Sequence, residues 1–70
     1  MQLTINGELK IIEISESSLS LLELIQQLGH HPLLIVVELN GAILSPRDWE
    51  DHQIHDGDSL EIVTIVGGGS

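Results

Sequence analysis

Seventy residues make one domain near the lower limit at which packing alone sustains a fold, and the absence of cysteine excludes disulfides, thiolate metal sites and a cysteine nucleophile. Two basic residues, Lys10 and Arg47, stand against eleven acidic ones for a formal net charge of -9, which argues against nucleic acid as a partner and for a basic surface on another protein. No apolar run reaches the length of a membrane span, and residues 1 to 20 lack the basic start and cleavage site of a signal peptide, so a cytoplasmic protein without membrane contact is expected.

The segment Met1 to Asn6 alternates, with Leu3 and Ile5 on one face and Gln2, Thr4 and Asn6 on the other, which predicts a strand. Asn6-Gly7 supplies two residues that tolerate positive φ in a hairpin turn, and a second strand is expected over Glu8 to Ile14. Its facing is open, because Ile11 and Ile12 are adjacent. Ser17 or Ser18 is a candidate helix cap for a helix over Leu19 to Leu28, with Leu21, Leu24, Ile25 and Leu28 on one stripe, Leu22 at its edge, and Ser20, Glu23, Gln26 and Gln27 toward water. Gly29 suits the C-terminal cap, and Pro32 stops the helix from resuming.

Leu33 to Leu39 reads as a strand, ending in a second Asn-Gly pair, Asn40-Gly41, with Ala42 to Leu44 returning against it. Ser45 to Trp49 reads as a turn or one helical turn, with the chain's one aromatic residue, Trp49, plugging the end of the core. Asp56-Gly57-Asp58 marks another tight turn, which launches a last strand, Ser59 to Val66, running straight into Gly67-Gly68-Gly69-Ser70. The twenty-six Leu, Ile and Val residues favour a half-buried sheet under one amphipathic helix. The order β-β-α-β-β-β, with the last strand parallel to the first at the centre, is the α+β arrangement of the ubiquitin-like β-grasp, a mixed sheet of four to five strands over residues 1–66 followed by a flexible tail, 67–70.

The chemistry sits in that tail. Fully extended it would reach roughly 13 Å, and residues without Cβ can thread a narrow channel and leave the terminal carboxylate open to attack. A free carboxylate is a poor acyl donor and needs activation, for example as an acyl adenylate, before a sulfur nucleophile can attack it. Taken alone, Gly-Gly-Gly-Ser reads first as a flexible linker unit or a frayed end.

Glu38-Leu39-Asn40-Gly41, Ser45-Pro46-Arg47 with Trp49 two positions on, Asp56-Gly57-Asp58, and Glu61-Ile62-Val63 leading to Val66-Gly67-Gly68-Gly69 change that balance. Their order, spacing and distance from the terminus resemble the sulfur carriers of thiamine biosynthesis, small β-grasp proteins ending in Gly-Gly. The resemblance covers nearly the whole chain. It implies a carrier, not an enzyme, which binds no cofactor itself. An adenylating enzyme related to ubiquitin-activating enzymes would use ATP and magnesium to activate the terminal glycine, a sulfur donor protein would supply the sulfur for a thiocarboxylate, and thiazole synthase would consume it. Gly67, Gly68 and Gly69 carry over as the sulfur-bearing element. Ser70 departs from the family's terminal glycine, and its removal to expose Gly69 is expected.

Val63 and Ile65, alternating with Ile62 and Thr64, predict an exposed apolar patch on the last strand. Val63, Ile65 and Val66, with Arg47, are the candidate docking residues. Two alternatives stay open: the small subunit of molybdopterin synthase, which shares fold and tail, and a β-grasp interaction module without covalent chemistry. His30, His31, His52 and His55 read as solvated loop histidines, because no cysteine joins them and zinc needs three or four convergent ligands. Asp48, Glu50, Asp51, Asp56 and Asp58 read as loop and cap residues without the spacing of a calcium loop.

Overall fold

In the computed structural model, which describes residues 1–13 and 18–65, the N-terminal alternation becomes β1 (Gln2–Ile5), paired antiparallel with β2 (Glu8–Ile11). Asn6 and Gly7 both take positive φ, 52° and 81°, the backbone that joins two twisted strands by a two-residue turn. The second strand is shorter than expected: it stops at Ile11, and Ile14 lies outside the described residues. The facing of the two isoleucines is settled, with Ile11 exposed and Ile12 packed against the core.

The helix entrance differs from the expectation. Leu19–Ser20 forms a two-residue strand, β3, antiparallel to β6 (Gln53–Ile54), and helix α1 runs Leu21–Gln27. Its cap is Ser20, not Ser18, and Ser17 lies outside the described residues. The Ser20 hydroxyl accepts from the Glu23 N–H at 3.1 Å and the Glu23 carboxylate accepts from the Ser20 N–H at 2.9 Å, satisfying two backbone donors reciprocally. Ser20 is therefore buried and not turned to water. Leu19 is buried through its pairing with Ile54, so its apolar character serves a strand and only mimics a helical position. At the other end Gly29 has φ 83°, its N–H donates to the Gln26 carbonyl and that of His30 to Ile25, the pattern by which a glycine ends a helix.

Pro32–Leu34 forms a 3-10 turn, so the next strand, β4, covers only Ile35–Leu39. Pro32 at the start of the turn and the His31 Nδ1, which accepts from the Leu33 N–H at 3.2 Å, hold these residues out of the sheet. Strand β5 (Ala42–Leu44) pairs with β4 across Asn40-Gly41, a 3-10 turn covers Pro46–Asp51, and β7 (Ser59–Thr64) closes the fold. The main sheet has the order β2-β1-β7-β4-β5, with β7 parallel to β1 and antiparallel to β4. This is the β-grasp arrangement. One face carries the core: Leu3 and Ile5 from β1, Ile35, Val37 and Leu39 from β4, and Leu60 and Ile62 from β7 meet Leu21, Leu24 and Ile25 of α1. Trp49 closes that core at 0% exposure, and its indole N–H donates to the Leu44 carbonyl at 3.1 Å, so the one polar atom of the ring is satisfied.

Candidate functional site

The site is built around the far end of β7. Alternation along this strand sends Leu60 and Ile62 into the core and Glu61 and Val63 to the opposite face. On one side β4 accompanies it to the end, with Ile35 opposite Thr64. On the other side β1 stops at Ile5, opposite Leu60. The gap is filled by Asn6: its side-chain oxygen accepts from the Ile62 N–H at 2.7 Å and its amide donates to the Ile62 carbonyl at 3.2 Å. One side chain thus supplies the two hydrogen bonds that the backbone of a longer β1 would have made.

Asn40 does related work at the strand's start, where its side-chain oxygen accepts from the Ser59 N–H at 2.9 Å and its amide donates to Asp58 at 3.1 Å. Beyond the strand, the Ile65 N–H donates to the Leu34 carbonyl at 2.6 Å. The register of the strand that leads toward the glycines is therefore fixed at its start, its middle and its exit. Asn6→Gly, which keeps the positive φ but loses both bonds, is expected to cost about 1–3 kcal/mol, because the Ile62 backbone loses its partner. Asn6→Ala should cost about 1 kcal/mol more through left-handed strain. Urea titration of the two variants checks both values.

The outer face of the sheet is apolar around this exit. Val63 is 59% exposed and sits directly opposite Val36, Ile65 is 50% exposed, and Ile43 on β5 is 72% exposed. Val63 and Ile65 are thus both exposed. Arg47 is exposed in the Pro46–Asp51 turn, which packs on α1, on the helix side of the sheet. Val66 and the glycines Gly67, Gly68 and Gly69 lie outside the described residues. Sequence reasoning missed the role of Asn6, read only as a turn residue, and the placement of Val36 and Ile43. For these two the signal was present, since alternation along β4 and β5 puts them opposite the core residues.

Asp56 accepts from the Gln2 N–H at 2.6 Å and Asp58 from the His55 N–H at 2.7 Å, so Asp56 ties the turn before β7 to the start of β1 and Asp58 organises the turn itself. Among the described residues no three His, Asp or Glu side chains converge as metal ligands, and no helix is long and apolar enough to cross a membrane.

Comparison with known proteins places this geometry. The ThiS family model matches residues 3–69, from the first strand to the last glycine. The crystal structure of the thiamine biosynthesis protein (ThiS) from Geobacter metallireducens superposes with a TM-score of 0.82 at 33% identity, covering 99% of this chain and 100% of that one. The protein ycf40 of Porphyra purpurea is 39% identical over 69 residues, 99% of this chain and 93% of that protein. A thiazole synthase of Paramagnetospirillum magneticum is 36% identical over 70 residues, which is all of this chain but 21% of that enzyme. With the β-grasp sheet, the strand leading toward the glycines and a match running through Gly69, the chain belongs to the ThiS family.

Proposed function

We propose that this chain is a sulfur carrier for thiazole formation in thiamine biosynthesis, and that it does no catalysis itself. The observation that carries the reading is the family match running through Gly69, directly after a last strand whose register is fixed on both sides. A rigid body ending in a thread without side chains suits an acyl group that another protein must reach.

The carboxylate of the terminal glycine attacks the α-phosphorus of ATP, held with magnesium by an adenylating enzyme, and pyrophosphate leaves. The terminal sulfur of a persulfide on a donor protein then attacks the acyl carbon and AMP leaves, giving an acyl disulfide; a thiol attacks the donor's own sulfur, forms a disulfide with it, and releases the thiocarboxylate. Gly67, Gly68 and Gly69 are the sulfur-bearing element, with Ser70 removed first. Thiazole synthase takes the sulfur. The thiazole synthase of P. magneticum that contains a segment similar to this whole chain supports that partnership. Val63 and Ile65, with Val66, form the docking residues at the end of the last strand, and Arg47, on the helix side, is a separate point of contact.

Intact-mass measurement after incubation with ATP, the adenylating enzyme and a sulfur donor tests the reading. A gain matching replacement of one carboxylate oxygen by sulfur on a chain ending at Gly69 is expected. A thiocarboxylate on the chain that retains Ser70 would overturn the trimming step, and no sulfur gain at all would overturn the carrier. Val63→Asp should slow thiocarboxylate formation about tenfold or more at subsaturating enzyme, and leave the unfolding midpoint nearly unchanged, since Val63 is exposed.

A further inference from the structure

The outer face of the sheet holds a pairing that the fold itself does not need. Glu38 on β4 lies directly opposite Glu61 on β7, which places two carboxylates on neighbouring strands with Cβ atoms about 5 Å apart. Like charges in this position destabilise a sheet. The ordinary remedy is a cation from the same chain, and here there is none at hand. Lys10 pairs with Glu8 at 3.5 Å on the edge strand β2, and Arg47 lies in the turn against α1.

The surroundings are apolar on two sides and polar on the others, where Ser59, Asn40 and Asn6 lie. Ile43 flanks Glu38 on the far side, and the Val36–Val63 pair lies one row nearer the end of β7. Glu61 is four residues before Ile65, on the strand that leads toward the glycines.

We propose that this face seats a partner protein whose surface presents an arginine or lysine among apolar side chains, with the cation held between Glu38 and Glu61. The inference rests on the carrier reading and names the chemistry of its docking partner. A cation with a planar fork of donors, as arginine has, reaches both carboxylates at once. Ile43 and the Val36–Val63 pair exclude water on two sides of the glutamates, which strengthens the attraction relative to an open surface. A second copy of this chain does not fit: two such faces would bring four carboxylates together in a protein of net charge -9.

Calorimetric titration of the adenylating enzyme with wild type and with Glu38→Gln/Glu61→Gln tests this. The double variant should bind at least about tenfold more weakly, with a shallower loss of affinity as salt rises. Relief of the like-charge pair should leave its melting temperature no lower than that of wild type. Glu61→Gln alone should shift affinity in the same direction. Equal affinity and equal salt dependence for wild type and double variant, with thiocarboxylate still forming on wild type, would overturn the cation seat and spare the carrier reading. Wild type that neither binds nor is thiocarboxylated would overturn both. Sedimentation of the wild type as a dimer that the double variant dissociates would also overturn the proposal.

Discussion

A chain lacking Gly68, Gly69 and Ser70 should unfold at the same urea concentration as the full chain and form no thiocarboxylate at all. The folding half of this result follows from where the structure keeps its apolar contacts. Every residue of the described core lies between Leu3 and Ile62, and the last fixing hydrogen bond of β7's exit is made by Ile65. The chemical half follows from reach. Shortening the thread by two glycines withdraws its end by about 7 Å, and a displacement of even 1 Å from a productive geometry can cost about a hundredfold in rate. Gly68→Ala and Gly69→Ala should lose most of the same activity at full length, because the added Cβ obstructs the channel and the acyl carbon. Intact mass reads the sulfur and circular dichroism reads the fold. Sulfur appearing on the shortened chain would place the activated acyl group elsewhere in the protein and remove the basis of the carrier assignment.

How far the sequence led depends on whether the governing interaction was local. The two Asn-Gly turns, the C-terminal cap at Gly29 and the alternation of β1 and β7 are decided within a few residues, and all take the expected form. The helix start was also local, written in Ser20-Leu21-Leu22-Glu23, a serine followed three residues on by glutamate. It was obscured because Leu19 sits where a helical stripe would continue, whereas its burial comes from Ile54, thirty-five positions away. The same limit applies to Asn6. Its identity announces a turn, but the two bonds to Ile62 depend on β1 ending opposite Leu60 while the strand beside it runs four residues further, to Thr64, a fact of sheet register that no window of sequence contains. Register also decides that Glu38 faces Glu61. The family resemblance, in contrast, was legible because many of its residues, Asn40-Gly41, Ser45-Pro46-Arg47 and Asp56-Gly57-Asp58, lie at turns, where residue type follows directly from backbone demand.

Trp49→Ala is the substitution expected to damage the fold most. The indole is fully buried, it is the chain's one aromatic side chain, and the turn that carries it packs on α1. Truncating a buried tryptophan to alanine typically costs about 3–5 kcal/mol, and the Leu44 carbonyl loses the N–H now 3.1 Å away. A domain of this size holds only about 3–10 kcal/mol in total at about 0.05–0.15 kcal/mol per residue. The loss therefore consumes most or all of the stability. In urea, with a slope near the low end for small proteins, about 1 kcal/mol per M, the midpoint should fall by about 3 M or the cooperative transition should vanish. Trp49→Phe refills much of the space but not the hydrogen bond, and should retain a cooperative transition at an intermediate midpoint. Circular dichroism is the proper probe, since both variants remove the fluorophore. A loss under about 1 kcal/mol in Trp49→Ala would mean that α1 and the sheet close over the vacated space. The packing of β7 against α1, through Leu60 and Ile62, would then hold the strand that leads toward the glycines without the ring.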